Sequence, residues 1–227
     1  MNSLTFRLGA IPVRVHVSFL VVSAMLGASG RVTLAGLVQW VLVVFVGVLL
    51  HELGHAYMGM AFGLVPQIDL QGMGGLTSWT AGTRSRISAG QRIAISVAGP
   101  MVGVVIGGAT GVWWKLQPHV SPQLESLLWA VVLVNLGWGI LNLMPILPMD
   151  GGNVLYTVLQ QVTKGRGEIP ARAVSAVLAT ALGLFFLVQY HSFLWALYPF
   201  GMFAIINVRA LQAQRAPQAA PPPDARF

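Results

Sequence analysis

The chain has 227 residues, of which 56% are hydrophobic and only 8% are charged. Because soluble domains carry about 25% charged residues, this composition excludes an ordinary soluble protein, and its long continuous apolar stretches predict a helical membrane protein rather than a barrel. The net charge of +7 is spread over the segments between these stretches, so it does not indicate a nucleic-acid partner. The sequence contains no cysteine, so any metal site must use His, Asp or Glu side chains.

Six apolar stretches predict six transmembrane helices. They lie at about residues 15–28, 34–62, 87–114, 126–143, 173–190 and 193–208. Residues 1–13 read as a short leader without the features of a cleaved signal peptide. Residues 212–227 are rich in Ala, Gln and Pro, which predicts a disordered C-terminal tail.

The segment 65–83 is too polar and too rich in glycine to cross a membrane. Its partial alternation of apolar and polar residues around Gly72, Gly74 and Gly75 predicts a β-hairpin between the second and third spans. The expected fold class is therefore an all-α polytopic membrane protein with one small β-hairpin. The free edge of this hairpin could bind an extended peptide by strand addition, and a plain surface hairpin is an equally weighted alternative.

The second predicted span carries an H-E-x-x-H motif, His51-Glu52-Leu53-Gly54-His55. Residues four apart lie on one face of a helix, so both imidazoles can bind one metal ion, with Glu52 one position round the helix. Ionisable side chains are costly within a bilayer and indicate a functional site there. A catalytic zinc site has three protein ligands and an open fourth position, and His51 and His55 supply two of the three.

The third ligand must be another His, Asp or Glu. Asp150 follows the fourth span in a segment that Pro145 and Pro148 prevent from forming regular helix. Broken backbone at membrane depth must lie against protein or a water-filled cavity, so we expect this segment to line a cavity. Asp150 is therefore the first candidate for the third ligand, and Asp69 and Glu168 are the alternatives.

The positive charges give an independent estimate of depth. Of the 13 Lys and Arg residues, all but Arg31 and Lys115 lie in the N-terminal leader, around the loops after the second and fourth spans, and in the C-terminal region. The positive-inside rule then places both termini in the cytoplasm. With that orientation, His51, His55 and Asp150 all lie towards the cytoplasmic side of the bilayer.

This ligand set indicates peptide hydrolysis. Zinc lowers the pKa of water to about 7 and polarises a carbonyl, and Glu52 can take the proton of the attacking water and pass it to the leaving amine. Asn142 is a candidate donor to the oxyanion or the substrate, with an interhelical hydrogen bond as the alternative. The hairpin glycines Gly72, Gly74 and Gly75 are further candidates for contact with the substrate or the oxyanion.

Together these residues resemble the site-2 protease family of intramembrane zinc metalloproteases. The resemblance covers about residues 10–210 and rests on His51-Glu52-Leu53-Gly54-His55, Ala98-Gly99-Pro100, Asn142-Leu143-Met144-Pro145 and Met149-Asp150-Gly151-Gly152. It implies one zinc ion per chain held by His51, His55 and Asp150, with Glu52 as the catalytic acid and base. It also implies a membrane-associated position for the hairpin and cleavage of transmembrane substrates near the cytoplasmic face.

We therefore expect residues 1–211 to form an intramembrane metalloprotease domain, a zinc metalloendopeptidase of compact bacterial type without a PDZ or CBS domain. Its catalytic core is expected at about residues 34–162. The expected location is a bacterial inner or plasma membrane, as a multi-pass protein. The expected partners are a transmembrane protein substrate and the lipid bilayer, and the sequence indicates no particular oligomeric state. The alternative is a metal transporter or sensor that uses the same His/His/Asp site without hydrolysis.

Overall fold

The computed structural model describes residues 3–28, 33–80, 87–191, 193 and 196–215. Most of these residues are helical, as predicted. The helices are α1 (Val17–Gly27), α2 (Leu34–Ala61), α3 (Ala89–Leu116), α4 (Pro122–Asn142), α5 (Asp150–Val162), α6 (Glu168–Tyr190) and α7 (Met202–Arg215). The strands are β1 (Ser3–Leu8), β2 (Ile11–His16), β3 (Val65–Gln71) and β4 (Gly74–Thr80).

Four of the described helices, α2, α3, α4 and α6, are long and apolar enough to cross a bilayer. The predicted count of six spans is not confirmed. Helix α1 has 11 residues, a length of about 17 Å, which is short for a hydrocarbon core of about 30 Å. The last predicted span is interrupted by a π-helical turn, Ala196–Gly201, in which Tyr198 has non-helical backbone angles and Pro199 follows, before α7 begins.

The strands form one sheet in the order β1-β2-β3-β4. Strands β3 and β4 pair antiparallel in the segment predicted to be a hairpin, and β2 pairs parallel with β3 through Val13 opposite Ile68 and Val15 opposite Leu70. These four side chains are buried in a core that the sheet shares with α1 and α2. The predicted leader and the start of the predicted first span are therefore strands, because alternate apolar residues there pack on this core. The membrane association of β3 and β4 stays a prediction.

The C-terminal part of the chain is described as far as Arg215. Helix α7 continues to Arg215, so residues 212–215 of the predicted tail are helical. The rest of that tail, residues 216–227, lies outside the described residues, as do residues 81–86 after the hairpin.

Helix α3 packs against the middle of α4 through glycine. Helix α4 contains a π-helical stretch, Leu133–Gly137, and the backbone of Asn135 and Leu136 in this stretch approaches Gly103 and Gly107 of α3. Membrane helices gain little hydrophobic driving force from each other, so small residues that let backbones approach closely are what allows them to associate.

The contact at Gly107 predicts unequal effects of two neighbouring alanine substitutions. A Cβ at Gly107 would lie 2.4 Å from the backbone nitrogen of Leu136, whereas a Cβ at Gly108 would meet nothing within 4 Å. We expect Gly107→Ala to destabilise the fold by about 1–3 kcal/mol through overpacking. Gly108→Ala should leave stability unchanged or raise it by up to about 1 kcal/mol, because alanine has the higher helix propensity. Thermal unfolding in detergent measures both, and equal midpoints for the two variants would contradict this packing.

Candidate metal centre

Helix α2 brings His51 and His55 onto one buried face. Their ring centroids are 4.9 Å apart and their Nε2 atoms are 3.2 Å apart. Asp150, the first residue of α5, places Oδ2 3.0 Å from Nε2 of His51 and Oδ1 3.3 Å from Nε2 of His55. The structure thus brings the three predicted ligands to one point, although their sequence positions span 99 residues.

The two alternative carboxylates have other partners. Asp69 on β3 lies 3.5 Å from both Arg14 and His16 on β2. Glu168 accepts a hydrogen bond of 2.8 Å from Arg172 one turn later in α6. Both carboxylates are paired with basic groups of their own surroundings, so Asp150 is the predicted carboxylate that contacts the histidines.

The protonation of His55 indicates what can occupy the point between these groups. Its Nδ1 lies 2.7 Å from the carbonyl oxygen of Ile95 in α3. A carbonyl oxygen only accepts, so Nδ1 carries a proton, and Nε2 is the nitrogen that faces His51 and Asp150 and can bind a cation. Imidazole nitrogens and a carboxylate at this distance from each other must share protons or a metal cation, and a histidine whose second nitrogen donates to a backbone carbonyl is the usual arrangement of a metal ligand. Two imidazoles and one carboxylate fit zinc.

Glu52 lies beside this ligand set and is buried. One of its oxygens is within 4.8 Å of the ligand nitrogens of His51 and His55, so distance alone would allow it to bind a metal. Its carboxylate has another partner, however, since Thr77 on β4 donates a hydrogen bond of 2.7 Å to Oε2. Gly75 packs directly on the same side chain, where an added Cβ would lie 2.3 Å from Oε1. Strand β4 therefore holds Glu52 next to the candidate centre, and Asp150 stays the predicted third ligand.

A cavity of about 400 Å³ opens over the candidate centre. It is lined by the three predicted ligands and Glu52, that is by His51, Glu52, His55 and Asp150. The predicted contact residues Asn142, Gly74 and Gly75 also line it. Asn142 donates a hydrogen bond of 3.1 Å to the carbonyl of Trp138 within its own helix, so the observed bond is not the interhelical one that we considered. Its amide nitrogen keeps a second N–H.

Gly72 does not line this cavity. It lies at a neighbouring apolar cavity of about 160 Å³. Its N–H donates to the hydroxyl of Ser18 at 3.2 Å, and its carbonyl accepts from the hydroxyl of Tyr198. A direct role of Gly72 at the metal centre is therefore not supported by its position.

Two residues of the site were missed by sequence reasoning. Thr77 binds the carboxylate of Glu52, and nothing local in the sequence of β4 distinguishes it from other strand positions. Gly99 packs against the predicted ligand His55, where an added Cβ would lie 2.3 Å from Nε2. The Ala98-Gly99-Pro100 motif did contain this signal, but it indicates only close helix packing until the partner is known.

Known proteins resemble this chain in sequence and in structure. Residues 114–188 match the sequence profile described as peptidase family M50. The chain is 28% identical over 186 residues to a zinc metalloprotease of Methanocaldococcus jannaschii, a match that covers 80% of this chain and 52% of that protein. It is 30% identical over 183 residues to a putative zinc metalloprotease of Synechocystis sp., covering 77% and 44%. The chain thus spans about half the length of the curated relatives that it matches.

The structural similarity extends over the whole chain. The site-2 protease from Methanocaldococcus jannaschii matches it with a TM-score of 0.58 and 26% sequence identity, over 97% of this chain and 99% of that one. The agreement of fold therefore includes the elements that carry the metal centre.

The packing of Gly99 predicts a specific effect on metal content. Gly99→Ala would push a methyl group into the His55 imidazole, whereas Gly111→Ala in the same helix would place its Cβ in ordinary contact, 3.6 Å from Val132. We expect the zinc content of purified Gly99→Ala to fall well below that of the wild type and Gly111→Ala to retain it. Elemental analysis by mass spectrometry measures both. A full complement of zinc in Gly99→Ala would show that His55 is not held in a fixed position as a ligand.

Proposed function

Since the chain belongs to the peptidase M50, or site-2 protease, family, we propose that it is a zinc metalloprotease that hydrolyses peptide bonds within transmembrane segments of other proteins. The observation that carries this proposal is the convergence of His51, His55 and Asp150 beside Glu52 in a cavity between apolar helices. The matched relatives described as zinc metalloproteases support the same reaction.

The location of the site supports a substrate within the membrane. His51, Glu52 and His55 lie in the second half of α2, a helix of 28 residues and high mean hydropathy. A peptide bond in an intact substrate helix is shielded by its own turns and hydrogen bonds, so the substrate has to unwind locally to reach the cavity. The proposed substrate is thus a transmembrane protein whose helix is locally weak, and its cleavage is an act of regulated intramembrane proteolysis.

Strand β4 offers a means of holding the unwound substrate. It pairs with β3 on one side and is the last strand of the described sheet. Its residues from Gly74 to Thr77 line the cavity. An extended peptide that adds to the free edge of β4 would gain backbone hydrogen bonds and lie alongside the metal centre, which favours strand addition over a plain surface hairpin.

The roles of the side chains follow from their positions. His51, His55 and Asp150 would hold zinc, which when bound acidifies water and polarises a carbonyl. Glu52 accepts the proton from the attacking water and delivers it to the leaving nitrogen, and Thr77 and Gly75 fix its carboxylate for both transfers. Asn142 lines the cavity, and in this proposal its second N–H donates to the substrate.

The charge distribution supports an orientation with both termini in the cytoplasm of a bacterial cell and cleavage near the cytoplasmic face. Of the residues that this estimate uses, Arg31, Arg84, Arg86 and Arg226 lie outside the described residues. The alternative of a metal transporter or sensor is not favoured. The relatives are described as a zinc metalloprotease and a putative zinc metalloprotease. Of the acidic residues that the structure describes, only Glu52 and Asp150 line the cavity.

Glu52→Gln tests the reaction. This change removes the proton acceptor but keeps the shape and the hydrogen bond from Thr77, so we expect zinc to remain bound and proteolysis to fall by at least about 1000-fold. The matched control is Glu168→Gln, which removes a carboxylate that lies in α6 outside the site. Membranes of cells that produce each form are compared by mass spectrometry for peptides that end within transmembrane segments.

Such peptides should be present with the wild type and with Glu168→Gln and absent with Glu52→Gln. Equal cleavage by Glu52→Gln would contradict the catalytic role of this residue. Loss of zinc from Glu52→Gln would instead make Glu52 a ligand.

A further inference from the structure

Leu147, three residues before Asp150, has both of its backbone hydrogen-bonding groups bound by side chains of other helices. Its N–H donates to the hydroxyl oxygen of Ser175 on α6 at 2.9 Å. Its carbonyl accepts from the amide nitrogen of Asn207 on α7 at 2.7 Å. Leu147 lies in a segment that is not helical, so its N–H and carbonyl lack the partners that a helix would provide. Side chains of neighbouring helices supply these hydrogen bonds inside the bundle.

Ser175 and Asn207 are themselves held in place. Both side chains have 0% exposure. The Ser175 hydroxyl also donates to the carbonyl of Ala171 at 2.7 Å, and the Asn207 amide also donates to the carbonyl of Phe203 at 2.8 Å. Each side chain is thus anchored to its own helix while it binds Leu147. Rotation of either one would leave buried polar groups without partners, which is costly in apolar surroundings.

The bound segment is packed firmly against the start of α5. Ile146 has 0% exposure, and the N–H of Met149 donates to its carbonyl at 2.8 Å. The two glycines after Asp150, Gly151 and Gly152, pack closely against the backbone of residues 143–147. An added Cβ at Gly151 would lie 2.1 Å from the carbonyl oxygen of Leu143, and one at Gly152 would lie 2.3 Å from the carbonyl carbon of Ile146. The position of Leu147 therefore determines the position of Asp150.

We propose that Ser175 and Asn207 are positioning residues of the metal centre, which clamp Leu147 and so hold the carboxylate of Asp150 against His51 and His55. This inference rests on one part of the proposed function, the assignment of Asp150 as a zinc ligand. Because the clamp comes from α6 and α7, the third ligand depends on two helices that lie outside the segment that carries the other two.

Zinc affinity of the purified full-length protein tests the clamp directly. The probe is zinc alone, titrated against a chromophoric chelator in detergent, with the unfolding midpoint of each variant measured alongside. Ser175→Ala removes the acceptor for the Leu147 N–H, and Asn207→Leu removes the donor to its carbonyl with little change of volume. Each should raise the zinc dissociation constant by about 10-fold to 100-fold, the usual effect of losing a group that orients a ligand.

Two further variants separate the clamp from a general loss of packing. Ser175→Thr keeps the hydroxyl and should retain most of the affinity. Thr180→Val removes a hydroxyl on the same helix that donates only to the Ala176 carbonyl among the bonds described, at 2.8 Å, and should bind zinc as the wild type does. Wild-type affinity in both Ser175→Ala and Asn207→Leu would overturn the proposal. So would an equal loss of affinity in Thr180→Val.

A double-mutant cycle identifies the route of the effect. In an Asp150→Ala background the clamp has no ligand to position, so adding Ser175→Ala should cause no further loss of zinc affinity. The same fold-loss in both backgrounds would show that Ser175 acts on the whole bundle and would overturn the proposal. If Asp150→Ala alone leaves zinc affinity unchanged, the assignment of the metal site itself fails, which is a different outcome from failure of the clamp with that site intact.

Discussion

The structure depends on three electron-rich groups that face one another inside a bundle of apolar helices. The Nε2 atoms of His51 and His55 and the carboxylate of Asp150 lie 3.0 to 3.3 Å apart. Such groups are stable together in a medium of low dielectric constant only when protons or a metal cation join them. One turn of α2 provides both imidazoles, and Glu52 on the same helix is bound by Thr77, so the predicted third ligand is Asp150 from another part of the chain. The chain therefore breaks its helix after Asn142 and begins a new one at Asp150.

The surrounding contacts hold these groups with very little space to spare. Gly99 lets α3 lie against the His55 imidazole, and Gly75 lets β4 lie against Glu52. Hydrogen bonds also hold these groups in place. Examples are the bonds that the side chains of Ser175 and Asn207 form with the backbone of Leu147. Close packing at glycine and buried hydrogen bonds both suit a membrane protein. Helices surrounded by lipid gain little from the hydrophobic effect when they associate, so packing and hydrogen bonds have to hold them together.

Much of the site could be predicted from local sequence, because a spacing of four on a helix and a proline-broken helix end have direct geometric meaning. The predominantly helical fold was predicted from the long continuous apolar stretches. Residues 11–16 form a strand that was not predicted. Their alternation of apolar and polar side chains indicates a strand only once β3, more than 50 positions later, is known to pair with them. Thr77, Ser175 and Asn207 were missed because each acts through a partner distant in sequence. The count of six spans is not confirmed, because a strand precedes the short α1 and a break in the helix precedes α7.

Zinc K-edge X-ray absorption of the protein in lipid nanodiscs tests the central claim most directly, because multiple scattering counts imidazole ligands. The account predicts one zinc ion per chain with two imidazole nitrogens and oxygen ligands at about 2.0–2.2 Å. In His55→Ala the imidazole count should fall to one in any zinc that remains bound. A wild-type spectrum with three or more imidazoles, or an imidazole count of two in His55→Ala, would contradict the assignment of the metal centre.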